Sequence, residues 1–341
     1  MPPRATDGIS HPFTTLPGPA QTVAVAPGVF WLRMPLPFAL NHINLWLLED
    51  DGGWCIVDTG LNHAPVRELW TALQGGFMRG LPIGRIIVTH YHPDHLGLAA
   101  WLAAQAGCRI SMTAGEQQVA ARIFSEGNQL RVDFFRRHGL GEELFADIAT
   151  WGMSYRRNVS GVPADFIRLQ HGDQLRIGGN DWRIIIGRGH SPEHAALYCP
   201  ALGVLLSGDQ ILPTITPHIG VWHFEPEADP VSRFLDSLER FRELPAQTLV
   251  LPAHGKPFTG LHPRLAFLAS HHAERLAEVL QACAEPRSSA DIMKVLFSRR
   301  LDSQQLPFAM GEALAHLNCL HQRGELVRTV DEAGCFRFQR C

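Results

Sequence analysis

Arg85-Ile86-Ile87-Val88-Thr89-His90-Tyr91-His92-Pro93-Asp94-His95-Leu96-Gly97 is the stretch on which the fold turns. Its first half is a short apolar, β-branched run of the kind buried in a sheet, and its second half packs four metal-type ligands into six residues. His90 and His92 lie two apart at the end of the run, so their imidazoles project to one side. Asp94 and His95 follow a proline, which suits the first turn of a helix. Neutral imidazole and ionised carboxylate at this density suit Zn²⁺, Fe²⁺ or Mn²⁺. A lone His-x-His pair is commonly structural, and one metal needs three or four ligands, so the rest of the chain has to supply more.

Three later places do so. Gly189-His190-Ser191-Pro192 follows the apolar run Trp182 to Ile186, Ser207-Gly208-Asp209 follows Val204 to Leu206, and His254-Gly255 follows Leu249 to Leu251. Each candidate stands just past a short strand with a glycine beside it that lets the chain turn sharply. Another strand end, Trp54 to Val57, runs into Asp58-Thr59-Gly60, the position at which open α/β sheets place functional groups.

Outward from these ends, the pattern is layered α/β. Thr22 to Arg33 and Asn41 to Leu48 read as antiparallel strands, Pro65 to Leu73 as a helix, and Leu96 to Ala106 as a helix closed by Gly107. Cys108 to Met112 continues the alternation. Residues 114–160 read as a helical insertion with Phe134, Phe135, Trp151 and Tyr155 among several arginines. Strands resume at Phe166 to Leu169, Gln174 to Ile177, Trp182 to Ile186, Ala195 to Cys199 and Val204 to Leu206. Beyond residue 263 come three helices, Arg264 to Ala282, Ser288 to Phe297 and Pro307 to Arg323, and then a two-stranded hairpin, a winged-helix pattern. The expected organisation is a flexible tail over 1–21, a catalytic domain over 22–262 and a winged-helix-like domain over 263–341.

Composition narrows the function. A chain of 341 residues is long enough for about two domains, and 45% hydrophobic with 18% charged residues is a globular composition. Thirty Lys plus Arg against 33 Asp plus Glu leave a net charge of -3, so no basic field advertises nucleic acid or an anionic membrane. Seven cysteines with no Cys-x-x-Cys pair read as buried thiols in a reducing compartment. With no apolar leader at the start and no run near the ~20 residues of a membrane span, the expected location is the cytoplasm.

The set His90, His92, Asp94 and His95, with Asp58 in Val-Asp-Thr-Gly, His190 in Gly-His-Ser, Asp209 in Ser-Gly-Asp and His254 in Ala-His-Gly, resembles the metallo-β-lactamase fold superfamily over residues 22 to 262. The resemblance implies a four-layer αββα sandwich with metals at the edge between two sheets. It implies that His90, His92 and His190 hold a first metal, that Asp94, His95 and His254 hold a second, and that Asp209 bridges them. It makes Asp58 an acceptor that orients a ligating imidazole. Zinc is the first expectation for both ions, with iron or manganese compatible.

The implied chemistry is hydrolysis: two divalent cations acidify a shared water, and the hydroxide attacks an ester, thioester, lactone or related small substrate. Asp94 doubles as an acceptor that aims the attacking water. A phosphodiesterase or ribonuclease using the same metals, and a mononuclear iron oxidoreductase, are the alternatives. Tyr155, Arg156, Trp222 and His223 are the expected substrate contacts, from the insertion and from the segment after Asp209. His218 also flanks that segment, His194 reads as a structural hydrogen-bonding group, and His271 and His272 as solvated.

The C-terminal unit is not expected to read DNA. Pro307 to Leu320 carries Glu312 as its one full charge, whereas groove contacts need Arg, Lys, Asn or Gln. Residues 272–341 hold nine basic and nine acidic side chains. The expected roles are packing on the catalytic domain or a homodimer contact, with RNA a disfavoured partner and no membrane partner.

Overall fold

Alternation along the strands decides the layering. Val57 and Ile87 turn one way, while their neighbours Ile56 and Ile86 turn the other, and the same split separates Ile184 and Ile186 from Ile185 and separates Val204 and Leu206 from Leu205. Strands apolar on both faces are buried on both, so each sheet carries another sheet on one side and helices on the other. The computed structural model describes residues 6–38, 40–126, 129–145, 155–303 and 305–341.

The first sheet runs in spatial order β1 (Val23–Ala26), β2 (Val29–Pro35), β3 (His42–Asp50), β4 (Gly53–Val57), β5 (Ile83–Ile87), β6 (Ile110–Thr113), β7 (Ile167–Leu169). It is antiparallel from β1 to β4 and parallel from β4 onward. The second contains β8 (Gln174–Ile177), β9 (Asn180–Gly187), β10 (His194–Cys199), β11 (Val204–Gly208) and β12 (Leu249–Pro252) in reverse order, with β11 and β12 parallel. Between the sheets lies a core of Trp31, Trp46, Cys55, Trp182, Leu197 and Leu251. The fold is the αββα sandwich expected from the motif.

Helices α1 (Ala64–Gly75), α2 (Pro93–Leu96), α3 (Ala99–Ala106) and α4 (Ala114–Ser125) belong to the first sheet, and α5 (Gln129–Arg137) follows. Helices α6 (Pro230–Arg242), α7 (Leu261–Ala282), α8 (Ser289–Leu296) and α9 (Leu306–Gln322) share the core on the outer face of the second sheet. The chain ends in the antiparallel pair β13 (Leu326–Val330) and β14 (Phe336–Arg340).

Several expectations change. The run Thr22 to Arg33 is two strands, because Gly28 at φ 70° turns the chain back on itself. The helix expected from Leu96 breaks at Gly97-Leu98, where Gly97 is pressed against the carbonyl oxygens of Pro93, Gly60 and Asn158. Helix α6 is an addition, which Asp229 caps by accepting from Ser232 N–H and Pro230 opens. Within the described part of the tail, Ser10 forms a two-bond bridge to Thr259 and His11 bonds Pro257 O, so the chain is held there rather than loose. His272 is 1% exposed and stands 3.3 Å from His316, so it is a buried partner and not a solvated group.

The middle of the insertion packs on the C-terminal helices rather than on the metal-type residues. Phe134 and Phe135 enter the core of the C-terminal helices, and Ala290 N–H donates to His138 O. Trp151 lies outside the described residues. Helix α9 is buried along most of its length, among Met310, Leu314, Leu317 and Cys319. All seven cysteines are free, and no helix among the described residues is long and apolar enough to cross a membrane.

Candidate metal centre

Parallel strands deliver the site. Because β4 and β5 run the same way, as do β11 and β12, the segments after them emerge along one edge of the sandwich. Asp58 leaves β4, His90 to His95 leave β5, His190 leaves β9, Asp209 leaves β11 and His254 leaves β12. Two turns demand glycine: a Cβ on Gly208, at φ 50°, would lie 2.4 Å from His194 Nε2, and one on Gly189, at φ 95°, would lie 2.4 Å from Phe234 Cβ.

Two ligand groups result. His90, His92, His190 and Asp209 offer donor atoms within 4.8 Å of one another, and Asp94, His95 and His254 form a second set by the same measure. Asp209 reaches both: Oδ2 is 3.5 Å from His190 Nε2 and 3.6 Å from His95 Nε2, and Oδ1 is 3.4 Å from His254 Nε2. Asp94 Oδ2 lies 3.5 Å from His254 Nε2 and 3.8 Å from His95 Nε2.

The outward nitrogen of most of these rings is already used. His190 Nδ1 donates to His218 O at 2.8 Å, His254 Nδ1 to His42 O at 2.8 Å, and His95 Nδ1 to Asp58 Oδ2 at 2.7 Å. His90 Nδ1 is 3.0 Å from the Thr89 hydroxyl, which itself donates to Asp58 Oδ2. These bonds hold each ring with its Nε2 turned inward. Asp58 holds the positive φ of 62°, a conformation costly outside glycine, and also accepts from Thr89 N–H, so one strained residue grips both ends of the segment from Thr89 to His95.

Electrostatics separates the two groups. Burial, then the crowd of neighbouring imidazoles, pushes His90 well below its usual value, and burial with His190 does the same to His92. Both are neutral at pH 7. Burial opposes charge on His95 and His254 too, but the carboxylates of Asp58, Asp94 and Asp209 outweigh it at His95. Asp209 and Asp94 raise His254 to about 10. Burial resists ionisation of Asp209, yet His254 and His95 hold it well below the usual carboxylate range.

The donor set fits divalent cations. His95 Nε2 and Asp209 Oδ1 are buried with no hydrogen-bond partner, and three imidazole nitrogens of the first group converge, His90 Nε2 lying 2.9 Å from His92 Nδ1 and 3.2 Å from His190 Nε2. Buried polar atoms are left in that state where a ligand satisfies them.

The four expected substrate contacts fall in different places. Tyr155 is buried and donates its hydroxyl to Tyr91 O at 2.8 Å. Exposed Arg156 donates to Glu126 O, and His223 Nε2 stands 2.8 Å from Glu126 Oε2. Trp222 lines a cleft beside His190 with Tyr91, Ser191, Phe224 and Arg233. His194 accepts from Asp209 N–H. His218 supports the site from behind, passing its ring nitrogen to Phe308 O in α9, so a C-terminal helix buttresses the carbonyl that orients His190. Glu116, Thr89 and Arg233 join the site without any mark in the local sequence that singles them out.

Comparison with known proteins agrees with this geometry. Residues 40–254 match the metallo-beta-lactamase superfamily, and residues 276–341 match its metallo-beta-lactamase-like C-terminal domain. The crystal structure of a beta-lactamase domain protein from Burkholderia ambifaria is 45% identical, with 99% of both chains covered and a TM-score of 0.93. A metallo-beta-lactamase family protein from Thermus thermophilus is 30% identical, covering 93% of this chain and 100% of that one, with a TM-score of 0.80. A probable metallo-hydrolase, YqjP of Bacillus subtilis, is 23% identical over 86% of this chain and 92% of its own. The hydroxyacylglutathione hydrolase of Methylococcus capsulatus is 26% identical over 63% of this chain and 62% of its own length. The chain belongs to the metallo-beta-lactamase superfamily and is a hydrolase of that fold.

Proposed function

We propose that the protein is a dinuclear metal-dependent hydrolase of a small carbonyl substrate, with a thioester favoured over an oxygen ester or lactone. The observation that carries the reading is Asp209, whose carboxylate reaches both ligand groups, Oδ2 standing 3.5 Å from His190 Nε2 and 3.6 Å from His95 Nε2, and Oδ1 3.4 Å from His254 Nε2. His90, His92 and His190 would hold one ion and Asp94, His95 and His254 the other, with zinc the first expectation. Divalent cations bound there supply Lewis-acid polarisation of a carbonyl oxygen and acidify water.

The remaining work falls to the chain itself. Asp94 is the most solvent-open acid of the cluster, its side chain 19% exposed against 10% for Asp209. It accepts a hydrogen bond from the attacking water and so aims the lone pair at the carbonyl carbon. Asp58 keeps His95 in one tautomer throughout. Trp222 and Phe224 form an apolar wall, and Arg233 at the mouth pairs with an anionic portion of the substrate. The hydroxyacylglutathione hydrolase relative supports the thioester preference. The C-terminal helices and hairpin act as a winged-helix-like buttress, and the burial of α9 supports packing rather than groove reading.

The test is a panel of thioester, ester, lactone and phosphodiester substrates, run on metal-loaded and chelator-stripped protein. Metal-dependent cleavage highest on thioesters supports the reading. Preferential phosphodiester cleavage, or oxygen consumption with one iron per chain, overturns it.

A further inference from the structure

Glu116, on α4, is fully buried and belongs to neither ligand group. Its carboxyl group makes three hydrogen bonds to two different loops. Oε2 accepts from Tyr91 N–H at 3.0 Å, and Oε1 accepts from the Ser191 hydroxyl and from Glu193 N–H, both at 2.7 Å. Tyr91 sits between His90 and His92, and Ser191 directly follows His190. One side chain therefore ties the loop carrying two imidazoles to the loop carrying the third.

The surroundings reinforce the tie. Gly115 N–H donates to Glu193 Oε2 at 2.8 Å and the Thr113 hydroxyl donates to Glu193 O at 2.9 Å, locking the start of α4 to the second loop. Tyr155 donates to Tyr91 O at 2.8 Å, so the main chain of Tyr91 is gripped at both its N–H and its C=O. The partners of Glu116 are peptide N–H groups and a hydroxyl rather than a cation, an expensive arrangement for a buried acid. None of these bonds reaches Asp94, His95 or His254.

We propose that Glu116 is a positioning residue that sets the spacing of His90, His92 and His190, so that it controls metal affinity of that group and leaves the Asp94, His95, His254 group little changed. The inference rests on the metal-centre reading above. An acceptor oxygen is required on each side, because an amide at the same place turns N–H either toward Tyr91 N–H or toward the Ser191 hydroxyl and Glu193 N–H. Glu116→Gln thus keeps size and shape while releasing one loop from the other.

The experiment titrates Co²⁺ into metal-free wild type, E116Q, Ser191→Ala and Tyr155→Phe, following the cobalt d–d absorption. His92→Ala marks which binding step belongs to the first group. The expected result is that E116Q weakens that step by about 10- to 100-fold, the range typical for partners of metal ligands, with the other step within about threefold. Ser191→Ala and Tyr155→Phe weaken the same step by less. Should E116Q fail to fold, these two variants decide: selective weakening supports the clamp, and unchanged titrations overturn it. Equal weakening of both steps, or none, in folded E116Q also overturns it while leaving the metal centre standing. A wild type that takes up no cobalt overturns the metal reading and the clamp together.

Discussion

His90 Nε2 lies 3.2 Å from His190 Nε2, nitrogen to nitrogen, while the far nitrogen of the His190 ring is bound to His218 O and that of His90 meets the Thr89 hydroxyl. With the protons held on the outer sides, two lone pairs confront each other across the gap. Such a contact is repulsive between neutral rings and becomes favourable when a cation sits between them. His92 Nδ1, 2.9 Å from His90 Nε2, brings a third ring nitrogen to the same point.

Asp209 is the side chain that touches both groups, so Asp209→Ala should empty both of metal and abolish hydrolysis. Metal content by plasma mass spectrometry, after dialysis against limiting zinc, checks this. Full occupancy in the variant would refute the shared-ligand assignment.

Asp58 acts through His95 and should show a graded effect. In Asp58→Asn the amide group must face either Thr89 N–H or the His95 ring, so one of the bonds to Asp58 is lost. Zinc affinity should fall about 10- to 100-fold, measured by competition with a chromophoric chelator. Unchanged affinity would leave Asp58 as a turn residue only.

Metal binding should release protons. His95 is held well above its usual value and His254 near 10, so both rings are protonated at pH 7 in the metal-free chain, whereas a ligating imidazole must be neutral. The sign is therefore that affinity rises with pH, by about one to two decades per pH unit near neutrality. Titration calorimetry in buffers of different ionisation enthalpy counts the protons. A release of zero would show that the cluster is neutral before metal enters.

Arg233 stands at the cleft mouth and pairs with Glu225 at 2.8 Å, about half exposed. Arg233→Ala should raise KM for an anionic thioester by roughly two- to fivefold, the scale of an exposed ion pair, with kcat and metal content unchanged. A drop in kcat at constant KM would move Arg233 from binding into the chemical step.

The ligands are legible in the sequence because each stands one turn past an apolar strand, where spacing and glycine context expose it. The layers are legible for the same reason, since strands such as Ile184 to Ile186 announce burial on both faces. What cannot be read depends on contacts distant in sequence. Glu116 looks like an ordinary acid in the first turn of a helix, and only the fold brings Tyr91 and Ser191 to it. Tyr155 and Phe134 carry the aromatic signature of a pocket wall, yet one supports a main-chain carbonyl and the other joins the C-terminal core. His218 reads as a residue of the pocket mouth because sequence shows proximity to Asp209 but not which side of His190 the segment passes. Helix α6 is a different case, since its Asp229-Pro230 start and its apolar stripe of Val231, Phe234, Leu238 and Phe241 form an amphipathic signature that the sequence does carry.

Anomalous diffraction at the zinc edge, from crystals soaked in zinc, asks where the ions go. Two peaks per chain are predicted, one enclosed by His90, His92 and His190, the other by Asp94, His95 and His254, with Asp209 between. A single peak, or zinc bound only at surface histidines, would contradict the dinuclear centre.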